Sequence, residues 1–162
     1  DDVKILPSGF QSKIKGINFF DKQIETAFSQ MSVAITLEDD IDISRGNMLV
    51  KINNLPEVTQ DITAMLCWFN EASARPKAKY VMKHTTNDQK AIIKEVIYKV
   101  DINTIKRIED NKDLNMNDIC KVKIRTTAQM MVDEYLQNRS TGGFILVDES
   151  TNETVAAGMI MN

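Results

Sequence analysis

Asp39, Asp40 and Asp42 form the densest group of carboxylates in the chain, and such a group first suggests a calcium loop. A calcium loop of the EF-hand kind alternates its ligands and closes on a glutamate at the twelfth position. Here Ile43 stands where the next ligand belongs and no glutamate follows at that distance, so the segment reads as a solvated acidic turn. Glu109 with Asp110, and Asp133 with Glu134, are neighbours along polar stretches and read as solvated acids. His84 is the only histidine, which excludes any mechanism needing a histidine pair within one chain, and its alternating surroundings predict a surface or cross-strand role. Cys67 and Cys120 lie far apart, without Cys-x-x-Cys spacing or a nearby histidine, so neither a zinc site nor a disulfide framework is indicated. Nothing matches the glycine-rich phosphate loop with its lysine and hydroxyl. The string Asp110-Asn-Lys-Asp113 has the wrong order for a guanine-reading motif. No catalytic, nucleotide-binding or metal-binding residue is assigned.

The elements around these residues read as strands. Residues 3–6 form a short strand, and Pro7-Ser-Gly9 supplies a preset φ followed by a residue free to take positive φ, which predicts a hairpin into residues 11–20. Residues 21–30 read as a loop, and residues 31–37 alternate apolar and polar positions as a half-buried strand does. Arg45-Gly46 ends the acidic turn before an apolar strand at 48–52. Asn53-Asn-Leu-Pro56 reads as a connector, dividing the chain into units 1–56 and 57–162. In the second unit, strands are predicted at 62–69, 79–84, 90–100 and 118–125. Residues 130–137 are ambiguous between helix, strand and irregular chain.

Residues 90–100 have helix-like apolar spacing, but Ile92, Ile93, Val96, Ile97 and Val100 are all β-branched and favour the extended form. The closing segment, Arg139-Ser-Thr-Gly-Gly-Phe-Ile-Leu-Val-Asp148 followed by Thr154-Val-Ala-Ala-Gly-Met-Ile160, reads as a hairpin whose strands, residues 144–147 and 155–160, are apolar on both pleat faces and covered on two sides, with the polar run 148–153 as its turn. Gly9 and Gly46 are assigned to turns, and Gly142 and Gly158 to points where a strand bends or another backbone approaches closely. The fold class is all-β, with a complete six-stranded antiparallel barrel after a partial one.

With 43% hydrophobic residues the chain can bury a core, and 23 acidic against 20 basic residues leave a net charge of −3, which disfavours nucleic acid as the main partner. No apolar run approaches the roughly 20 residues that span a bilayer. Two free thiols suit a reducing cytoplasm. The chain opens without methionine and directly in a strand, so it is read as part of a longer protein whose remainder lies upstream.

Four segments carry a family resemblance: Val3-Lys-Ile-Leu-Pro-Ser-Gly9, Glu38-Asp-Asp-Ile-Asp-Ile-Ser-Arg-Gly46, Ile97-Tyr-Lys-Val-Asp-Ile-Asn-Thr104 and residues 138–160. They resemble the elongation-factor-Tu-like GTPases, in the branch of the large subunit of bacterial sulfate adenylyltransferase. That resemblance implies elongation-factor-like barrels: the later part of a second domain and the whole third domain. It implies GTP and magnesium held in an N-terminal domain outside this segment, with no cofactor in the segment itself. The implied partners are that GTPase domain and a smaller catalytic subunit, which makes adenosine 5'-phosphosulfate and pyrophosphate from ATP and sulfate. Arg139, Asp101 and Asn103, polar residues beside apolar strands, are the candidate interdomain or partner contacts. A barrel lacking strands keeps an open edge, to be covered by the third domain or by another copy of the chain.

Two other readings compete. The barrels of a translation GTPase would bind aminoacyl-tRNA through a coherent basic face, for which Lys13 with Lys15, and Lys121 with Lys123 and Arg125, are short stripes flanked by acids. A stand-alone ligand barrel would line its interior with Trp68, Ile93 and Ile145, although small barrels usually fill that space with side chains.

Overall fold

The computed structural model describes residues 1–75 and 77–161, divided into two compact units at Leu55 and Pro56. Both are built from antiparallel strands. Among the described residues no helix is long and apolar enough to cross a membrane.

In the first unit, β1 (Asp2–Leu6), β2 (Gln11–Phe19), β3 (Lys22–Ile24), β4 (Ala34–Leu37) and β5 (Met48–Lys51) form an open sheet of order β3-β2-β1-β5, with β4 also on β2. The long β2 is the hub: its start pairs with β1 and its later part with β4 and β3. Residues 21–30 are therefore not all loop, because Ile17, Asn18 and Phe19 find ladder partners in Ile24, Gln23 and Lys22. The predicted strand at 31–37 shortens to its second half, β4. Gly9 (φ +83) and Gly46 (φ +95) hold the left-handed turns for which glycine was expected. Asp39 closes the acidic turn onto β2: its carboxylate accepts from the Ser12 hydroxyl at 2.8 Å and its amide donates back to the same oxygen. Val3, Ile5 and Leu6 are buried, whereas Phe10, Phe20 and Phe28 lie open.

The second unit contains β6 (Glu57–Trp68), β7 (Lys79–His84), β8 (Asn87–Val100), β9 (Arg107–Ile108), β10 (Ile119–Val132), the single helical turn α1 (Arg139–Gly142), β11 (Gly143–Asp148) and β12 (Thr154–Ile160). The order β10-β6-β12-β11-β7-β8 closes on itself through β8 and β10, giving a six-stranded barrel, and the two-residue β9 adds to β8. Closure removes the exposed edges that an open sheet keeps.

Along β6 the pleat sends Ile62, Ala64, Leu66 and Trp68 inward, and along β10 it sends Cys120, Val122 and Ile124 to meet them. β8 explains its own ambiguous periodicity. Two register shifts against β10 insert extra residues, so the buried positions fall at Ala91, Val96 and Lys99 and the period of two is lost.

Several sequence expectations change. Residues 130–132 belong to β10, which survives an irregularity after Arg125 and buries Met130, Met131 and Val132 against the start of β6. Arg139 to Gly142, at the head of the closing hairpin, is a helical turn capped by the Asn138 side chain accepting from the Ser140 amide. His84 is buried, with Nε2 2.7 Å from the Thr141 carbonyl, because a polar side chain at the end of an inward row can still satisfy itself on backbone. Gly158 lies within β12, and the close approach there is by a ring rather than a backbone: a Cβ would stand 2.1 Å from the Phe144 ring. The hairpin is also not covered on both faces, since Met159 is 44% exposed and Ala157 is exposed.

Candidate docking surfaces on the barrel

The barrel interior is filled. Ile62, Leu66, Met82, Val122, Ile124 and Leu146 meet inside it, and the Trp68 and Tyr80 rings pack edge to face at 5.7 Å. Of the three residues expected to line a ligand cavity, Trp68 is core, Ile93 packs against the core, and Ile145 is only partly buried on the outward row with Lys83 and Ala157. Burial raises the Cys120 thiol to about 12, which leaves it protonated and unreactive, while Cys67 is exposed on the outer face. Among the described residues no three His, Cys, Asp or Glu side chains gather as metal ligands do. What the unit can present to another molecule is therefore its wall and its two rims.

One rim is a clasp. Strand pairing places the end of β8 beside the start of β10, which in turn pairs with the end of β6, so Asp101 and Asn103 lie at the same barrel end as Trp68. The Asp101 carboxylate accepts from the Thr104 and Asn103 amides at 3.0 and 2.8 Å, and these bonds hold its carboxyl below the usual carboxylate value. That is a turn-forming task, and Asn103 is exposed beside it.

Nearby, Lys99 is nearly fully buried; its Nζ lies 2.6 Å from Asp118 and donates to the Asp113 carbonyl at 2.9 Å. Those bonds fasten residues 109–118 over the barrel end, where Leu114 is buried and its carbonyl accepts from the Ala74 amide. Trp68 joins in, its Nε1 donating to the Ala72 carbonyl. On the same rim Arg75 pairs with Asp148 at 2.7 Å. The Ser150 hydroxyl first, then the Ser150 amide, hold the Asp148 carboxyl at about 2. Sequence reasoning missed both ion pairs, because their partners lie 19 and 73 positions apart along the chain with no local pattern to link them.

The opposite rim carries Arg139. β10 spans the distance between the two, so Arg139 cannot share one contact patch with Asp101 and Asn103. Here residues 134–138 form a turn that is firmly tied down. The Tyr135 amide donates to the Ile160 carbonyl, the Asp133 amide to the Thr141 carbonyl, and both Thr141 and Asn138 side chains donate to the Asp133 carboxylate. Gly142 lets this happen, since a Cβ there would meet the Tyr135 backbone at 2.4 Å. The Arg139 guanidinium stands 6.0 Å over the Tyr135 ring.

Beside this turn lies a groove of about 240 Å³, lined by Met65, Tyr135, Leu136, Met159 and Met161 among others. Leu136 projects from the turn 93% exposed. The only sequence signal for this surface was Leu136 standing alone among polar neighbours, together with methionines at outward positions of β6 and β12.

Comparison with known proteins decides the kinship. The family described as GTP-eEF1A C-terminal domain-like matches residues 61–161. The chain belongs to that family. Beyond the matched residues, similarity to individual proteins extends over the whole chain. It is 42% identical over 162 residues to sulfate adenylyltransferase subunit 1 of Bacteroides fragilis, covering 100% of this chain and 34% of that protein. It is 41% identical over 162 residues to the bifunctional enzyme CysN/CysC of Mycobacterium tuberculosis, covering 99% of this chain and 26% of that one. The chain thus spans about a quarter to a third of the curated relatives it matches.

The same eEF1A-like architecture recurs in solved structures. Sup35 complexed with GDP superposes with a TM-score of 0.87 at 18% identity, over 100% of this chain and 40% of that one. Translation elongation factor SelB from Methanococcus maripaludis, in its apo form, gives 0.76 at 18% identity, over 100% and 36%. At that identity the likeness concerns the fold.

Proposed function

We propose that this chain is the barrel region of the GTPase subunit of a sulfate adenylyltransferase, working in the cytoplasm as a docking and coupling element rather than as a site of reaction. The observation that carries this reading is identity above 40% across the whole chain to sulfate adenylyltransferase subunit 1, joined to a barrel whose interior is filled. In this scheme a further domain of the complete protein holds GTP and magnesium, since the sequence here offers no phosphate-binding loop. A second, smaller subunit activates sulfate with ATP, and the barrels carry the effect of GTP hydrolysis to it. Arg139 on one rim and Asp101 with Asn103 on the other are then separate contact points.

The charge distribution speaks against the tRNA-binding alternative. On the outer wall Lys83, Lys90, Lys123 and Arg125 are each matched by a carboxylate, namely Asp88, Glu149, Glu95 and Asp61. Such matched pairs supply little field to a polyanion. Isothermal titration of the full-length protein with the small sulfurylase subunit, alongside gel shift with aminoacyl-tRNA at low salt, tests the reading. Binding to the subunit without a shift of tRNA is the expected outcome, and the reverse pattern overturns it.

A further inference from the structure

Resting on that reading, we infer that the turn between β8 and β9, residues 101–106, is the anchor that the second subunit receives, with Ile105 and Ile102 entering an apolar pocket of that polypeptide. Ile105 is unfavourable on two counts. Its φ of +57 puts a β-branched side chain in the left-handed region, where glycine or asparagine is at ease, and that side chain is 82% exposed. Ile102, on the same turn, is 64% exposed. Phe20 in the first unit combines a similar backbone with similar exposure, but its ring leans edge-on against Phe19 at 4.6 Å, so part of its apolar surface is already in use.

A strained backbone persists only where its surroundings hold it. Here the Asp101 carboxylate accepts from the Asn103 and Thr104 amides, the Ile105 amide donates to the Asp101 carbonyl at 2.7 Å, and the Asp101 amide donates to the Lys106 carbonyl at 2.9 Å. Behind the turn Lys99 pairs with Ile108 and Val100 with Arg107, whose guanidinium lies 4.6 Å over the Tyr98 ring. The tip is pre-formed. Rigid presentation lowers the ordering cost of binding, so an anchor held this way contributes more affinity than one on a loose loop. Asp101 is then a positioning residue within the contact.

The place of the turn in the barrel selects its occupant. β6 starts and β12 stops at the other rim, so polypeptide joined to the barrel at either point is attached away from this turn. Size speaks against a second copy: two isoleucines on a convex tip, meeting their twofold mates, bury far less than the roughly 800 Å² per partner of a stable interface. Asp101-Ile-Asn-Thr104 also belongs to the segments that resemble sulfate adenylyltransferase, and relatives that match the whole chain are named subunit 1, which implies a second polypeptide.

The experiment is calorimetric titration of the full-length protein with the small catalytic subunit from the same genome. It compares wild type with Ile105→Asn, Ile102→Asn, Asp101→Ala and Asp101→Asn, and takes as control Ile43→Asn, at an isoleucine 48% exposed in the acidic turn. Asparagine tolerates the left-handed backbone, so Ile105→Asn should melt at or above the wild-type temperature while its affinity falls about 10- to 30-fold. A merely structural isoleucine would not lose binding while keeping stability. Ile102→Asn should lose about tenfold. Asp101→Ala should lose about fivefold, and Asp101→Asn, whose side-chain oxygen still accepts from both amides, should return to within about twofold of wild type. The control stays within about twofold as well.

Wild-type protein that fails to bind the subunit at all overturns the functional reading itself. Binding that survives both isoleucine variants unchanged overturns the tip alone. The tip is equally overturned if Ile105→Asn loses stability and affinity in step, which reduces the isoleucine to a structural role. It is overturned too if the variants leave subunit affinity intact but turn a dimer into a monomer by light scattering, or raise hydrogen exchange in the protein's other domains, since a second copy or the protein's own chain is then the occupant.

Discussion

The two units follow one strand grammar and reach opposite outcomes. The second returns its last long strands to its first, so every inward row meets another, and Trp68, Leu66 and Leu146 vanish from solvent. The first spreads β3, β2, β1 and β5 without closing; Val3, Ile5 and Leu6 are buried while three phenylalanines remain open. The difference lies less in strand propensity than in ring closure. A sheet that closes buries one whole face by its own curvature, whereas an open sheet needs a second layer to do so.

The widest test of that contrast is Trp68→Ala, which removes the largest buried ring and the bond that holds the 72 carbonyl. It should lower the stability of the second unit by about 4 kcal/mol, read by denaturant unfolding, with hydrogen exchange in the first unit unchanged. An equal loss of protection in both units would break the contrast.

Next comes a pair of glycines. Gly158→Ala drives a methyl into the Phe144 ring and should cost about 2 to 3 kcal/mol. Gly9→Ala meets open space, with Lys4 Cε at 3.8 Å, and pays only for its left-handed backbone, about 1 kcal/mol. The same thermal melts compare the two directly.

A third measurement uses acid. Asp148 has its carboxyl held at about 2 against an ordinary 3.8, so its contribution is complete above that ordinary value and is lost as pH falls from 3.8 toward 2. Asp148→Asn should therefore flatten that part of the acid-unfolding curve of the second unit and leave the neutral range without this pH dependence. A curve that keeps its steepness would remove Asp148 from the account. The smallest effect is expected in the first unit: Phe28→Ser, at a side chain 71% exposed, should move stability by less than about 0.5 kcal/mol. By light scattering it should also weaken any association of copies through the open sheet.

How far the fold was readable follows from the same physics. The first half of β10 alternates cleanly, with Cys120, Val122 and Ile124 inward between Lys121, Lys123 and Arg125, and a period of two needs no knowledge of partners; β6 was readable as an apolar run. β8 was readable only through its β-branched residues, because its two bulges overwrite the period. The tail of β10 and the Arg139 to Gly142 turn were not readable, since each depends on a partner far away in sequence: β6 for Met130 to Val132, and Asp133 for Thr141. His84 misled for a similar reason, its acceptor being 57 residues distant.

The candidate contacts fared differently. Their polarity was legible, but which rim each occupies is a matter of strand direction, which spacing alone does not reveal. The hairpin's double apolar pattern was legible as well, and cover on its outer face fails only at Ala157 and Met159, which are exposed.

β6 begins and β12 ends at the same end of the barrel, where Val132 faces Glu57 and the Met161 amide reaches the Thr63 carbonyl. The second unit is therefore wired like a cassette with both leads on one side. It could be spliced into another polypeptide through neighbouring attachment points, leaving the clasped far rim untouched by the join.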